Sequence, residues 1–128
     1  MPFQKRIQDV YRALDVVVHA SSRPEPFGRT IVEGMATGRP VIAPLEGGSA
    51  ELFVHGLEAI GVAPRSPDTM AAAIIDLARS PEKRSALGQA GRLAAVKRFS
   101  RARLGEQVFR VYREAGVVPR RAPQGVDP

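Results

Sequence analysis

The passage from Asp15 to Gly38 restricts the possible folds of this chain more than any other. Asp15-Val16-Val17-Val18-His19 is an apolar, β-branched run that reads as a buried strand. Ser21 to Pro26 follows as a loop, since Pro24 and Pro26 would interrupt any regular element. Gly28 through Ala36 then reads as a helix, closed by Thr37-Gly38 with Pro40 just beyond. A buried strand that runs through a short loop into a helix is the unit of α/β folds. In open α/β sheets ligands sit beyond the carboxyl ends of the strands, which is where Ser21 to Gly28 must lie.

The remaining segments extend that unit in both directions. Ile7, Val10, Tyr11 and Leu14 recur at helical spacing before the strand. After the helix, Pro40-Val41-Ile42-Ala43 reads as a second buried strand, Gly47-Gly48 as a turn, and Ser49 or Ala50 as the start of a brief helix through Val54. Ala59 to Ala63 is the third strand, interrupted by Gly61. Ser66-Pro67-Asp68 and Ser80-Pro81-Glu82 are paired helix starts: serine as N-cap, proline at the first helical position and an acid near the positive end of the dipole. Met70, Ala73, Ile74 and Leu77 form the expected inner face of the first helix, and Leu87, Ala90 and Ala94 that of the second. Ser100 caps a last helix that uses Leu104, Val108 and Val111 or Tyr112. The expected organisation is one domain over residues 1–116, with the proline- and arginine-bearing residues 117–128 as a disordered tail. Three strands make half of a parallel sheet, so the fold expected is a partial Rossmann-like α/β domain followed by C-terminal helices.

Composition removes several kinds of chemistry. There is no cysteine, which excludes disulfides, thiolate metal sites and thiol nucleophiles, and with only His19 and His55 a histidine-built metal centre is not expected. No apolar run approaches the roughly 20 residues needed to cross a bilayer. No signal-peptide pattern opens the sequence, so a cytoplasmic protein is the expectation. Charge is unevenly spread: residues 1–78 hold seven Lys/Arg against nine Asp/Glu, whereas residues 79–128 hold twelve against four, within a total of +6. The basic half is either the solvated side of amphipathic helices or a surface for anionic lipid at the inner face of a membrane, for nucleic acid or for an acidic partner. No DNA- or RNA-reading motif accompanies it, so a specific nucleic-acid partner is not expected.

Two carboxylates stand out. Glu33 lies among Ile31, Val32, Gly34, Met35 and Ala36. Either it faces solvent on an exposed stripe, or it is desolvated and needs donors, which vicinal ribose hydroxyls would supply. Glu25, at the strand end, either binds sugar hydroxyls or stabilises the helix start behind it. Between them, Gly28 lets the backbone approach a phosphate closely, and the free amides of a helix start suit one. His19 ends a strand near this place, but with no serine or acid close to it in sequence it reads as structural. His55 reads as loop surface. Gly47-Gly48 and Glu51 are either the border of a sugar pocket with an anion-binding nest or a plain turn before a helix.

Taken together, these segments resemble a known family. Glu-x7-Glu from Glu25 to Glu33, inside EPFGRTIVEGMATGRPVIA, is similar to the signature of the GT4-type glycosyltransferases, the "glycosyl transferases group 1" C-terminal domain. YRALDVVVHAS, EGGSAELFVHG, RFS and VYREAG resemble the flanking segments in the same order, so the likeness runs from about Phe3 to Gly116. It implies the second half of a GT-B C-terminal domain and a retaining, metal-independent sugar transfer from a nucleotide-diphosphate donor to an acceptor it leaves unnamed. Carried onto this chain, Glu25 would hold hydroxyls of the donor sugar and serve as the catalytic residue. Phe27, Gly28 and Arg29 would turn backbone amides toward sugar and diphosphate, Thr30 would add a diphosphate contact, and Glu33 would bind the ribose. Gly34 and Ala36 would be small for packing. The family's first half of this domain, with its phosphate-neutralising basic residues, and its acceptor-binding N-terminal lobe have no counterpart here. The expectation is therefore a piece that works with those parts in a longer chain or a partner subunit. The alternatives are a non-catalytic nucleotide-sugar-binding remnant and, through the basic helices, a nucleic-acid or membrane binder.

Overall fold

The strand–loop–helix reading holds in the computed structural model, which describes residues 4–117. Helix α1 (Ile7–Arg12) leads to strand β1 (Val17–Val18), helix α2 (Arg29–Ala36) and strand β2 (Val41–Pro44). A single 3-10 turn (Gly48–Glu51) precedes strand β3 (Ile60–Val62), and helices α3 (Pro67–Arg79), α4 (Pro81–Phe99) and α5 (Arg101–Glu114) follow. The strands form a parallel sheet in the order β1-β2-β3, with Val17 opposite Val41 and Ile42 opposite Ile60. Contacts divide the chain after Lys97 into two compact units. Apart from Val117, the expected tail 117–128 lies outside the described residues.

Both faces of β2 are covered, and all four of its residues are buried. On one face α2 lies so close that a Cβ at Gly34 would stand 3.0 Å from Val41 and 3.2 Å from Val17, so glycine sets the approach of helix to sheet. On the other face Ile42 and Val62 pack with Leu77 and Leu87, joined by Val16, Met70 and Ala73. Successive residues of a strand point to opposite faces, which is why adjacent Val41 and Ile42 serve different layers. Gly61 sits in β3 because a side chain there would meet Leu45 at 2.5 Å.

Several sequence expectations need correction in detail. The first strand is two residues long, although Val17 and His19 still donate to Pro40 O and Ile42 O. Ser80 caps α4 through Lys83 N at 3.2 Å, but Ser66 makes no side-chain cap to α3, and the hydroxyl of Thr69 bonds to the Ser66 carbonyl. Ile74 is exposed on α3, while Gly88, Gly91 and Ala95 join Leu87 and Ala94 on the buried side of α4. Ser100 does cap α5, accepting from Arg103 N, yet α5 has no buried residue, and Leu104, Val108, Val111 and Tyr112 are all exposed. Periodicity locates a helix; it does not say what covers its apolar side.

Candidate functional site

The loops that leave the carboxyl ends of β1 and β2 meet each other. Gly48 N donates to Glu25 O at 2.8 Å, and Glu25 forms an isolated parallel bridge with Gly47. The contact tolerates no side chain at Gly48, where a Cβ would overlap the Pro26 carbonyl. Gly47 has φ 62°, a left-handed value suited to glycine. The glycine pair is therefore a buttress for the Glu25 loop, and the Gly48 amide is committed to it rather than open to an anion. Just beyond, the Ser49 hydroxyl is buried 2.8 Å from Pro44 O and 2.6 Å from Glu46 O, with its one proton shared between them. It ties the turn to the end of β2.

Gly28 caps α2 with φ 91° and offers no side chain to the first helical amides. Ile31 N bonds back to Gly28 O at 3.0 Å, so the amides of Arg29 and Thr30 lead the helix at its positive end. Phe27, just ahead, has an exposed ring.

Each carboxylate has its own surroundings. Glu33, on the second turn of α2, is neither buried nor simply solvated: its side chain is 32% exposed. Tyr11 donates its hydroxyl to Glu33 Oε2 at 3.0 Å, and Arg29 Nη2 lies 3.0 Å from Oε1. Burial chiefly, then the hydrogen bond to Glu33 and the charge of its carboxylate, raise the pKa of Tyr11, while a hydrogen bond with Thr30 and the charge of Arg29 work in the opposite direction. Glu25 is 34% exposed, and His19 Nε2 lies 3.7 Å from its Oε1, beyond hydrogen-bonding distance. That nitrogen is buried without a hydrogen-bond partner. His19 thus has the acid neighbour that the linear sequence did not offer it. His55 is exposed as expected, and its Nδ1 accepts from Gly61 N at 2.9 Å.

A groove of about 510 Å³ lies past the same strand ends, lined by Ala20, Ser21, Pro44, Ala63, Arg65 and Met70 among others. Its walls are mostly apolar and include neither Glu25, Glu33 nor the α2 start. The convergence of polar groups, rather than this groove, marks the place where chemistry is possible.

Comparison with known proteins identifies the family. The family model described as glycosyl transferases group 1 matches residues 1–94. The chain belongs to the glycosyl transferases group 1 family. Spore coat protein SA of Bacillus subtilis is 35% identical over 109 residues, covering 84% of this chain and 29% of that protein. Anabaena HepE, solved in complex with UDP-glucose, is similar with a TM-score of 0.85 at 31% identity, over 89% of this chain and 31% of HepE. The isolated C-terminal domain of a glycosyl transferase group 1 protein, LpcC of Francisella tularensis, matches with a TM-score of 0.71 at 30% identity, over 79% of this chain and 53% of that domain. The chain thus spans less than a third of the length of spore coat protein SA and about half of the isolated domain. The fold is the C-terminal portion of a GT-B glycosyltransferase.

In this family member the residues picked out by sequence fall into two connected places. Glu25, Phe27 and Gly28 line the loop after β1, and Arg29, Thr30 and Glu33 form the start of α2. Sequence reasoning missed Tyr11 as a partner of Glu33, because 22 positions separate them. The Arg29–Glu33 pair was legible as an i,i+4 spacing.

Proposed function

We propose that this chain binds the nucleotide-diphosphate sugar donor of a retaining glycosyl transfer, with Glu33 on the ribose and Glu25 on the sugar. One observation carries the reading: two part-exposed carboxylates flank a helix start left bare by glycine, at the carboxyl ends of parallel strands. A helix start with leading amides and positive dipole suits a diphosphate, with Arg29 and Thr30 nearest and Phe27 and Gly28 bringing the backbone close. Vicinal hydroxyls match a carboxylate, which accepts through both oxygens. Glu25 would act as the catalytic residue, holding sugar hydroxyls while the bond to the diphosphate breaks. The UDP-glucose held by HepE supports uridine as the first nucleotide to try. The acceptor would come to an N-terminal lobe, in a longer chain or a partner subunit.

The test begins with the polypeptide as source cells make it, identified by an antibody to residues 100–116. A band several-fold heavier than 13.8 kDa supports a donor-binding part of a larger transferase, and a band at 13.8 kDa supports a split subunit or non-catalytic remnant. Calorimetric titration of that polypeptide with UDP, GDP and ADP and their glucose conjugates follows. Binding that Glu33→Ala weakens tenfold or more is expected; unchanged binding in the variant would refute the ribose assignment.

A further inference from the structure

We propose that Tyr11 is a positioning residue for Glu33, fixing the carboxylate in the orientation that receives the ribose hydroxyls. The proposal rests on the reading of Glu33 as the ribose ligand. Tyr11 stands on α1 and Glu33 on α2, so the bond between them joins two helices across 22 residues of chain. The Tyr11 ring is 8% exposed and packed in the core, and it has only two side-chain torsions to hold. The fastening is therefore rigid before any ligand arrives. Glu33 has three such torsions and a side chain one-third exposed, and a glutamate in that setting samples several rotamers unless something holds it.

Arg29 also reaches Glu33, but its side chain is 85% exposed. An ion pair that open to water adds little and moves easily. The two contacts also fall on different oxygens, Tyr11 on Oε2 and Arg29 on Oε1. An ionised carboxylate offers about four acceptor positions, so with one taken on each oxygen both oxygens still have room for a hydroxyl. The arrangement meets the general requirement that a binding group be locked by neighbours that do not themselves touch the ligand.

The experiment measures ribose discrimination in the polypeptide as source cells make it. Whichever of UDP, GDP and ADP binds tightest is titrated against its 2′-deoxy analogue, in wild type, Tyr11→Phe and Glu33→Ala. Tyr11→Phe keeps the ring and removes only the hydroxyl. It is expected to lower affinity for the ribonucleotide about fivefold and to leave affinity for the deoxy analogue unchanged, so the preference shrinks toward that of Glu33→Ala. A merely structural Tyr11 would weaken both nucleotides together, and that result would overturn the proposal. So would a Tyr11→Phe protein that keeps the full wild-type preference while Glu33→Ala loses it. If wild type shows no preference, or Glu33→Ala retains it, the ribose assignment itself fails and the proposal falls with it, by a pattern distinct from the other two. Should Tyr11→Phe not fold, Tyr11→Met is measured in its place: methionine adapts to the space the ring leaves and carries no hydroxyl, and it is expected to lower the preference in the same sense. An unaltered preference in Tyr11→Met would overturn the proposal in that case.

Discussion

Glu25 and Glu33 are almost equally exposed, yet they are held in opposite ways. Glu33 is fastened by its side chain: a buried tyrosine from another helix binds one oxygen, and an exposed arginine from the preceding turn of its own helix reaches the other. Glu25 is fastened by its backbone: the Gly47-Gly48 turn grips its carbonyl, while its carboxylate faces His19 at 3.7 Å without a hydrogen bond to it. One carboxylate is oriented in advance, and the other is carried to the right place with its orientation open. Under the proposed reading this fits their partners. A ribose presents the same pair of hydroxyls in every ribonucleotide, whereas the donor sugar differs from one transferase to another. A fixed receptor suits the first, and an adjustable one suits the second.

The comparison is broken most severely through the turn. Gly48→Ala drives a Cβ into the Pro26 carbonyl, which is backbone and cannot rotate away. Overpacking of this kind costs about 3 kcal/mol. Urea melts should show the loss, and sugar-nucleotide binding should disappear while the Tyr11–Glu33 pair stays intact. A variant as stable as wild type would mean that the loops separate without penalty.

The carboxylates themselves sharpen the contrast. Glu33→Ala should weaken UDP and UDP-glucose alike, by about tenfold, because both carry the ribose. Glu25→Gln should weaken UDP-glucose by a similar factor and leave UDP alone. Equal effects of Glu25→Gln on both ligands would place Glu25 away from the sugar. A smaller effect is expected at Ser49, which supports the turn from below. Ser49→Ala removes the one hydroxyl proton that the buried Pro44 carbonyl and the part-buried Glu46 carbonyl share, at a cost of about 1 kcal/mol, readable as a shifted urea midpoint.

The asymmetry also explains which features could be read from sequence. The order of strands and helices was legible because apolar runs, prolines and glycines act locally; β1, α2 and β2 follow from Val16–Val18, Gly28 and Pro40. The position of the Glu25 loop and the α2 start beyond the strand ends was legible as well, and strand-end loops are where open parallel sheets take ligands. What holds the site was not. Tyr11 reads as one more apolar residue on an amphipathic helix, and nothing within α1 says that its hydroxyl meets Glu33. Gly47-Gly48 reads equally well as a nest or a turn, and only the bond from Gly48 N to Glu25 O decides between them. The same limit appears at α5, whose apolar residues follow the helical period as closely as those of α2. Ile31 and Met35 of α2 are fully buried against the sheet, while Leu104 and Val108 of α5 stay exposed. Amphipathicity records a demand for cover and not its source.

Alkaline unfolding tests the fixed member of the pair by the smallest effect. Burial first, and then the hydrogen bond and charge of Glu33, hold the Tyr11 pKa above its ordinary 10.0 in the folded chain. In the unfolded chain the hydroxyl titrates at its ordinary value. Between those two points the folded state binds more protons than the unfolded one, so stability falls as pH rises. The contribution is complete below pH 10.0 and is lost as pH climbs through the raised value. Tyr11→Phe has no such group, so the stability difference between wild type and variant cancels every other titration in the chain. Urea melts at intervals from pH 8 to 11 should give a constant difference at first, and then a wild-type advantage that shrinks above pH 10. Adding Glu33→Ala to both proteins removes the second and third causes of the shift, and the onset of the decline should move to lower pH. A difference that is flat across the whole range would mean that the hydroxyl meets the same surroundings folded and unfolded, and the rigid fastening of Glu33 would not exist.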